Sequence, residues 1–216
     1  MQVSLPAGSC GVAPRPPAAA GAWRLTGSPE GVVAEYHLLT VWRIEAPLDE
    51  VFAAIEDSLR WPDWWPSVRK VEQISAGDLK GIGSVRRYAW QGRLPYRVAF
   101  DVCATRIDEL AALEGVATGD LAGIGRWTFS SRGELSIVHY EWHVHSKRWW
   151  MNLVAPVARA IFIRNHAQIM AQGGKALARL LKAPLVGQEN TDLMAVAVKS
   201  GAGRTSVPET SRAEAP

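Results

Sequence analysis

The sequence predicts an α+β fold in which a curved antiparallel sheet covers one long C-terminal helix. Two observations predict this class: a series of short, β-rich segments separated by turn-like residues, and one long helical pattern near residues 156–182. Short spacers between successive strands favour antiparallel hairpins, and a sheet with one apolar face needs a second layer against it. The chain has 216 residues, 48% of them hydrophobic and 21% charged, which suits one globular domain with tails.

Composition sets the limits of the folded domain at residues 35–183. Residues 1–34 are rich in Ala, Pro and Gly, and residues 184–216 are similar. Such segments bury too little apolar surface to offset chain entropy, so the first tail is predicted to be disordered and the second mostly so. Within the second tail, LMAVAV at 193–198 is a candidate for a short helix or strand.

Charge and hydropathy exclude several classes of protein. The net charge is only +3 and the basic residues are scattered, so nucleic-acid binding is not expected. No apolar run approaches the ~18 residues of a membrane span. The first 25 residues lack the basic and apolar regions of a secretion signal, so a cytoplasmic location is expected.

The domain begins with a strand and a short helix. YHLLTVWRIE at 36–45 is β-rich and alternates towards its end. In the following APLDEVFAAIED, Pro47 and two acidic residues suit a helix N-terminus. One apolar face of this helix is formed by Val51, Phe52 and Ile55. The next stretch, SLRWPDWWPSV, is too short and too rich in proline for more than one helical turn. Its RWPDWWPS part (60–67) is expected at a cavity mouth, where Trp61, Trp64 and Trp65 would cover a ligand.

Six further strands and a long helix follow. The strands are predicted at roughly 67–74, 83–91, 94–107, 111–118, 123–131 and 135–146. The helix is predicted from about Pro156 to Lys182. One face of it is defined by His166, Met170, Gly173, Leu177 and Leu181. Gly173 and Gly174 each cost the helix ~1 kcal/mol relative to alanine, so the pair indicates close packing, space beside a cavity, or a bend.

Strand periodicity assigns side chains to the two faces of the sheet. Neighbouring side chains alternate, so the apolar set of each strand should face the helix. The expected inward set on the first strand and on the 83–91 strand is Leu38, Thr40, Trp42, Ile44, Tyr88 and Trp90, with Arg86 inward near a rim. On the later strands the expected inward set is Tyr96, Val98, Phe100, Val102, Trp127, Phe129, Tyr140 and Trp142.

The segment HYEWHVHS at 139–146 places three histidines and a glutamate on one face of the last strand. His139, Glu141, His143 and His145 share this face, and neighbours two apart lie roughly 6.5–7 Å from each other. That spacing allows zinc chelation, but an outward strand face offers no shelter for a catalytic metal. We therefore expect a solvated polar face, with no metal and no cofactor.

Five motifs in the same order carry a resemblance to a known family: IEAPLDEVF (44–52), WPDWWPSV (61–68), LPYRV (94–98), GDLAGIGRW (119–127) and NHAQIMAQGGKALARLL (165–181). Together they resemble the polyketide cyclase/dehydrase branch of the START and birch-pollen-allergen-like superfamily, also called SRPBCC. The resemblance implies a helix-grip fold, with a seven-stranded sheet around the long helix and an apolar cavity between them. Its members bind lipids, sterols, polyketides or plant hormones, and some are cyclases or dehydratases. No catalytic signature is shared, so none is carried over.

The inward rings either fill a core or line such a cavity. The expected ligand-binding set is Thr40, Trp42, Trp65, Tyr88, Trp90, Tyr96, Val98, Phe100, Trp127, Phe129, Tyr140, Trp142, His166 and Met170. Buried hydroxyl and indole groups need partners, so they suit the few polar atoms of a mostly apolar ligand. The function we expect is the binding of a hydrophobic, lipid-like or polycyclic small molecule.

Two alternatives stay open at the level of sequence. A cyclase or dehydratase could use His166 for proton transfer, although a structural histidine is the simpler interpretation. A peripheral, lipid-shuttling protein could touch membranes through Trp149 and Trp150, which follow two basic residues. The sequence predicts no oligomeric state.

Overall fold

The computed structural model describes residues 34–93, 96–146 and 155–202, in which eight strands form one antiparallel sheet against a long helix. In chain order the elements are β1 (Glu35–Ile44), α1 (Leu48–Glu56), a 3-10 turn (Ser58–Arg60), α2 (Trp61–Trp64), β2 (Val68–Ser75), β3 (Val85–Trp90), β4 (Val98–Asp108), β5 (Ala112–Gly119), β6 (Leu121–Arg132), β7 (Leu135–Ser146), α3 (Ala155–Leu180), β8 (Leu185–Asp192) and α4 (Leu193–Ala202).

The order of strands across the sheet is β2-β3-β4-β5-β6-β7-β1-β8. Strands β2 to β7 are joined in sequence, and β1 then pairs with β7 so that Thr40 lies opposite Tyr140. On the other side of β7, Tyr140 lies opposite Trp127 of β6. Direct partners in an antiparallel pair share one face, so these three side chains lie on the same side of the sheet.

The eighth strand differs from the sequence prediction of seven strands and a mostly disordered segment at 184–216. Residues 185–192 pair with β1, and α4 follows over the LMAVAV segment, so α3 is not the last element. The polar sequence LVGQENTD shows no apolar alternation, so its pattern predicts a tail. Its order instead comes from pairing with the free side of β1 and from polar contacts such as Arg43–Glu189 at 2.6 Å and Arg159–Asp192 at 2.6 Å. Residues 1–33, where most of the other predicted tail falls, lie outside the described part of the chain.

The short helix α1 packs as its sequence pattern predicts. Val51, Phe52 and Ile55 are buried on its apolar face, and the ring of Phe52 meets that of Phe129 edge-on at 5.0 Å. This contact closes one end of the space between the sheet and the helices.

The long helix meets the rest of the domain at Gly173 and Gly174. A Cβ atom on Gly173 would lie 2.3 Å from Cζ2 of Trp65, and one on Gly174 would lie 2.9 Å from Nε1 of Trp42. Both indoles are fully buried, and their rings contact each other at 5.6 Å. The glycine pair is therefore a packing site for two tryptophans; we call this arrangement the diglycine contact.

We predict that Gly173→Ala destabilises the protein even though alanine is the better helix former. Alanine should gain ~1 kcal/mol from helix propensity, but overpacking a rigid core costs ~1–3 kcal/mol and more for contacts this short. The free energy of unfolding, measured by urea denaturation, should fall by about 1 kcal/mol or more. In a Trp65→Phe background the same substitution should be neutral or stabilising. A gain in stability from Gly173→Ala alone would contradict the packing described here.

Candidate functional site

Two adjoining chambers lie on the inner face of the sheet. The helix-side chamber lies between the sheet and α3 and measures about 690 Å³, and the loop-side chamber, which extends from the 3-10 turn to the β2–β3 connection, measures about 900 Å³. Both volumes include space that opens to solvent. Six residues border both chambers: Trp61, Trp90, Phe100, Trp127, Tyr140 and Trp142. The partition between the chambers is thus entirely aromatic.

Eleven of the fourteen residues expected to bind a ligand border this cavity. Five are in the aromatic partition, and Tyr88 borders the loop-side chamber. The others border the helix-side chamber: Trp65, Tyr96, Val98, His166 and Met170. Their location agrees with the inward face assigned from the strand and helix periods. Their role in binding stays a prediction.

The other three expected residues do not border either chamber. The Thr40 hydroxyl donates a hydrogen bond to Asn190 Oδ1 at 2.7 Å, Trp42 fills the diglycine contact, and Phe129 packs on α1. All three side chains are buried, as alternation predicts. Alternation gives the face of the sheet but not what covers it, and at these positions other elements occupy the space.

Trp61 and Trp65 line the helix-side chamber and are hydrogen-bonded to the backbone. Trp61 Nε1 donates to the carbonyl of Ile55 and Trp65 Nε1 to that of Ile169, both at 3.1 Å. Both side chains are buried, whereas Trp64 stacks on Trp65 and does not border the chambers. Trp61 and Trp65 are thus placed where they can cover a ligand, which stays a prediction, whereas Trp64 is set back from the chambers.

Three rings of the partition form a stacked row on β6 and β7. Trp127 stacks on Tyr140 at 4.1 Å with 24° between the planes, and Tyr140 lies 5.8 Å from Trp142. Gly125 lies opposite Trp142, and a Cβ atom there would come within 2.7 Å of the Trp142 ring. Glycine at this position therefore lets the indole lie close to strand β6.

The His166 side chain lines the helix-side chamber, is neutral, and has no hydrogen-bond partner at Nε2. Burial lowers the pKa of His166 from 6.5 to about 4, and its Nε2 has no hydrogen-bond partner. Across the chamber, burial raises the pKa of Tyr140 well above 10, and the two rings lie 6.5 Å apart, close to parallel. Both groups are uncharged at neutral pH and can donate or accept a hydrogen bond.

Three lining residues of α3 are absent from the set expected on sequence grounds. Phe162, Asn165 and Ile169 border the helix-side chamber together with His166 and Met170. Their spacing of three and four places them beside the predicted face, so that face is broader than a single stripe. A search of α3 for every position within about two turns of Met170 would have found them.

Arg86 supplies the main polar group of the loop-side chamber. Its Nη1 donates to the Glu56 carbonyl and to Ser58 Oγ, both at 2.9 Å, and Ser58 Oγ lies 2.7 Å from Tyr88 Oη. Burial raises the pKa of Tyr88, which keeps the phenol protonated. Within the described residues Arg86 forms no ion pair with a carboxylate. The inward orientation expected for Arg86 is thereby confirmed.

The histidines of β7 face away from the cavity, as expected. His139, His143 and His145 are exposed, while Tyr140, Trp142 and their neighbours cover the inner face. On the outer face His143 lies 2.6 Å from Glu35, and His37 lies 2.7 Å from Glu141. The two imidazoles of these pairs stack at 4.7 Å. Among the described residues no group of three or more His, Cys, Asp or Glu side chains is arranged to hold a metal ion.

The expected membrane-contact residues, Trp149 and Trp150, lie outside the described residues. None of the helices in the described ranges is both long and apolar enough to cross a membrane.

Comparison with known proteins supports the same architecture. A family model described as polyketide cyclase / dehydrase and lipid transport matches residues 37–182. The Zhui aromatase/cyclase from Streptomyces sp. R1128 is 15% identical, with a TM-score of 0.57 over 68% of this chain and 94% of that chain. A START superfamily protein from Mycobacterium smegmatis is 13% identical, with a TM-score of 0.56 over 68% and 97%. A protein from Thermus thermophilus is 15% identical, with a TM-score of 0.54 over 67% and 98%. These identities show a shared fold, and the comparison with curated proteins gave no match.

We predict that His166 titrates far below an ordinary histidine and that this lowers stability in acid. Unfolded chains bind a proton at this side chain near pH 6.5, whereas the folded protein resists protonation until about pH 4. Folding stability should therefore fall as the pH drops from 6.5 towards 4. NMR titration should give a low midpoint for the His166 ring, and His166→Gln should reduce the acid loss of stability. A His166 midpoint near 6.5 would contradict its burial.

Proposed function

The chain belongs to the polyketide cyclase / dehydrase and lipid transport family, and we propose that it binds a flat, hydrophobic small molecule in the cavity between the sheet and α3. The observation that carries the proposal is the helix-side chamber, a mostly apolar space whose partition consists of aromatic rings. Family membership alone gives the class of ligand only broadly. The geometry of this chain favours a planar ring system over a flexible acyl chain.

Burial of the ligand would supply most of the affinity. A bicyclic ring that loses about 200 Å² of apolar surface to the chamber gains roughly 5 kcal/mol at ~25 cal/mol per Å². The rings of Trp127 and Tyr140 border the chamber and supply apolar surface against which such a ring can pack. Indoles held by backbone hydrogen bonds, such as Trp61 and Trp65, preform the walls and limit the entropy lost on binding.

A cyclase or dehydratase acting in the same chamber is the second candidate. It is favoured by one observation, the unpaired and neutral Nε2 of His166 at the chamber wall. Such a nitrogen could take a proton from a bound substrate, and the chamber would hold a flexible chain in a folded pose. The similarity to the Streptomyces aromatase/cyclase agrees with this candidate but shows the fold alone.

Binding can be tested with a substitution on β4 that fills the helix-side chamber. Val98 faces the helix-side chamber, and its neighbour Ala99 is exposed on the opposite face of β4. Naphthalene should bind the natural protein and quench its tryptophan fluorescence. Val98→Phe should weaken this binding about tenfold or more, because the added ring occupies the space of the ligand, while Ala99→Phe should change it less than twofold. Equal effects of the two variants, at equal melting temperature, would argue against binding in this chamber.

The two candidate functions predict different results for His166→Gln. Native mass spectrometry and extraction of the purified protein should first identify any co-purifying compound. If the protein is a binder, His166→Gln should change the affinity for that compound by no more than a few fold. If it is an enzyme, turnover should fall by about 100-fold or more, as for loss of a general base. Turnover that is insensitive to this substitution would exclude His166 as the proton acceptor.

A further inference from the structure

Three residues that line the helix-side chamber each carry a buried polar atom without a hydrogen-bond partner. The atoms are Nε1 of Trp90, Oδ1 of Asn165 and Nε2 of His166. Unpaired buried polar atoms destabilise a fold, and folded proteins contain few of them. The other three unpaired atoms in the described residues belong to Tyr36, Trp42 and Thr105, which line neither chamber. Half of the unpaired buried atoms in the described residues therefore belong to residues that line one chamber.

The three atoms differ in what they can bond. The Trp90 indole only donates, the Asn165 oxygen only accepts, and the His166 nitrogen does either according to its tautomer. A carboxylate would satisfy Trp90 but would place negative charge against the Asn165 oxygen. An ammonium group would satisfy Asn165 but would place its own N–H donors against the N–H of Trp90. A hydroxyl group satisfies both, because it donates one hydrogen bond and accepts another.

Local packing brings the Asn165 side chain close to the chain segment that follows Trp90. Gly92 follows Trp90 by two residues, and a Cβ atom on it would lie 2.3 Å from Asn165 Oδ1. The absence of a side chain at Gly92 therefore lets the Asn165 amide of α3 approach the end of β3. Trp90 is itself held in place edge-on against Trp65, at 5.1 Å.

The described residues that line this chamber include no charged side chain. None of its lining residues within the described part of the chain is Asp, Glu, Lys or Arg. The loop-side chamber, in contrast, is bordered by Glu56, Arg86, Arg106 and Glu114. An ionic end group would lose its hydration in the helix-side chamber without gaining a counter-ion, which is expensive in a largely apolar space.

We propose that the helix-side chamber selects an uncharged, flat ring compound that carries a hydroxyl group. The hydroxyl donates to Asn165 Oδ1 and accepts from Trp90 Nε1, while the ring lies among the aromatic walls. This inference rests on the proposed binding function and adds the end group that the ligand must carry. It makes Trp90 and Asn165 specificity-determining residues, whichever of the two candidate functions holds.

Matched naphthalene derivatives test the end group directly. At neutral pH, 2-naphthol should bind about tenfold more tightly than naphthalene, and 2-naphthoate should bind no more tightly than naphthalene. Compared with 2-naphthol, 2-methoxynaphthalene keeps the oxygen but has lost the O–H, so its affinity should fall to within about threefold of naphthalene. Dissociation constants from tryptophan quenching and calorimetry give these ratios without any change to the protein.

Substitutions then test which residues cause the preference for 2-naphthol over naphthalene. Asn165→Leu and Trp90→Phe should each bring the affinity ratio of 2-naphthol to naphthalene to within about threefold of one. Asn190→Leu makes the same chemical change on β8, outside the chamber, and should leave the ratio near ten. Circular dichroism and melting temperature report whether each variant is folded.

The possible outcomes separate this inference from the proposed function. If naphthalene and 2-naphthol bind equally well, the chamber binds rings but its polar atoms are served by water, and the inference is overturned while binding stands. Tightest binding of 2-naphthoate would also overturn it. If none of the four compounds binds, both the proposed function and the inference fail. A preference for 2-naphthol that both chamber variants abolish supports the inference.

Discussion

The diglycine contact is the constraint on which the rest of the structure depends. Two bulky indoles, Trp42 from β1 and Trp65 from the segment after α2, lie directly against α3 because Gly173 and Gly174 have no side chains. The contact joins the sheet, the short helices and the long helix at one point. It also explains why a helix contains two adjacent glycines, which helix propensity alone disfavours by ~1 kcal/mol each.

The helix-side chamber lies directly beside this contact. Trp42 is fully buried against α3, whereas Trp65, its partner in the contact, also borders the chamber. Towards the N-terminal end of α3 the helix contributes Phe162, Asn165 and Met170 to the lining. Aromatic side chains of one kind therefore form the solid core and, next to it, the walls of a cavity.

The sequence predicts the faces of the elements better than it predicts what lies opposite them. The period of two places Tyr140 inward and His143 outward, because alternation is a local property of the strand. Strand β8 could not be predicted from LVGQENTD, since its order depends on the hydrogen-bonding edge of β1, far away in the sequence. The role proposed for Asn165 could not be predicted from the sequence either, because whether a buried polar atom finds a hydrogen-bond partner depends on every element packed around it.

One part of α3 packs against the core and another part lines the chamber, and this separation has an evolutionary consequence. The turn that holds Gly173 and Gly174 tolerates almost no change, whereas Phe162, Asn165 and Ile169, one to three turns earlier, border the chamber. Asn165 has no hydrogen-bond partner at Oδ1, so its replacement removes no hydrogen bond there, whereas Phe162 is part of the core. Under the proposed function, a lineage carrying this domain could therefore change its ligand by drift and selection at positions such as 165, while the architecture is inherited unchanged.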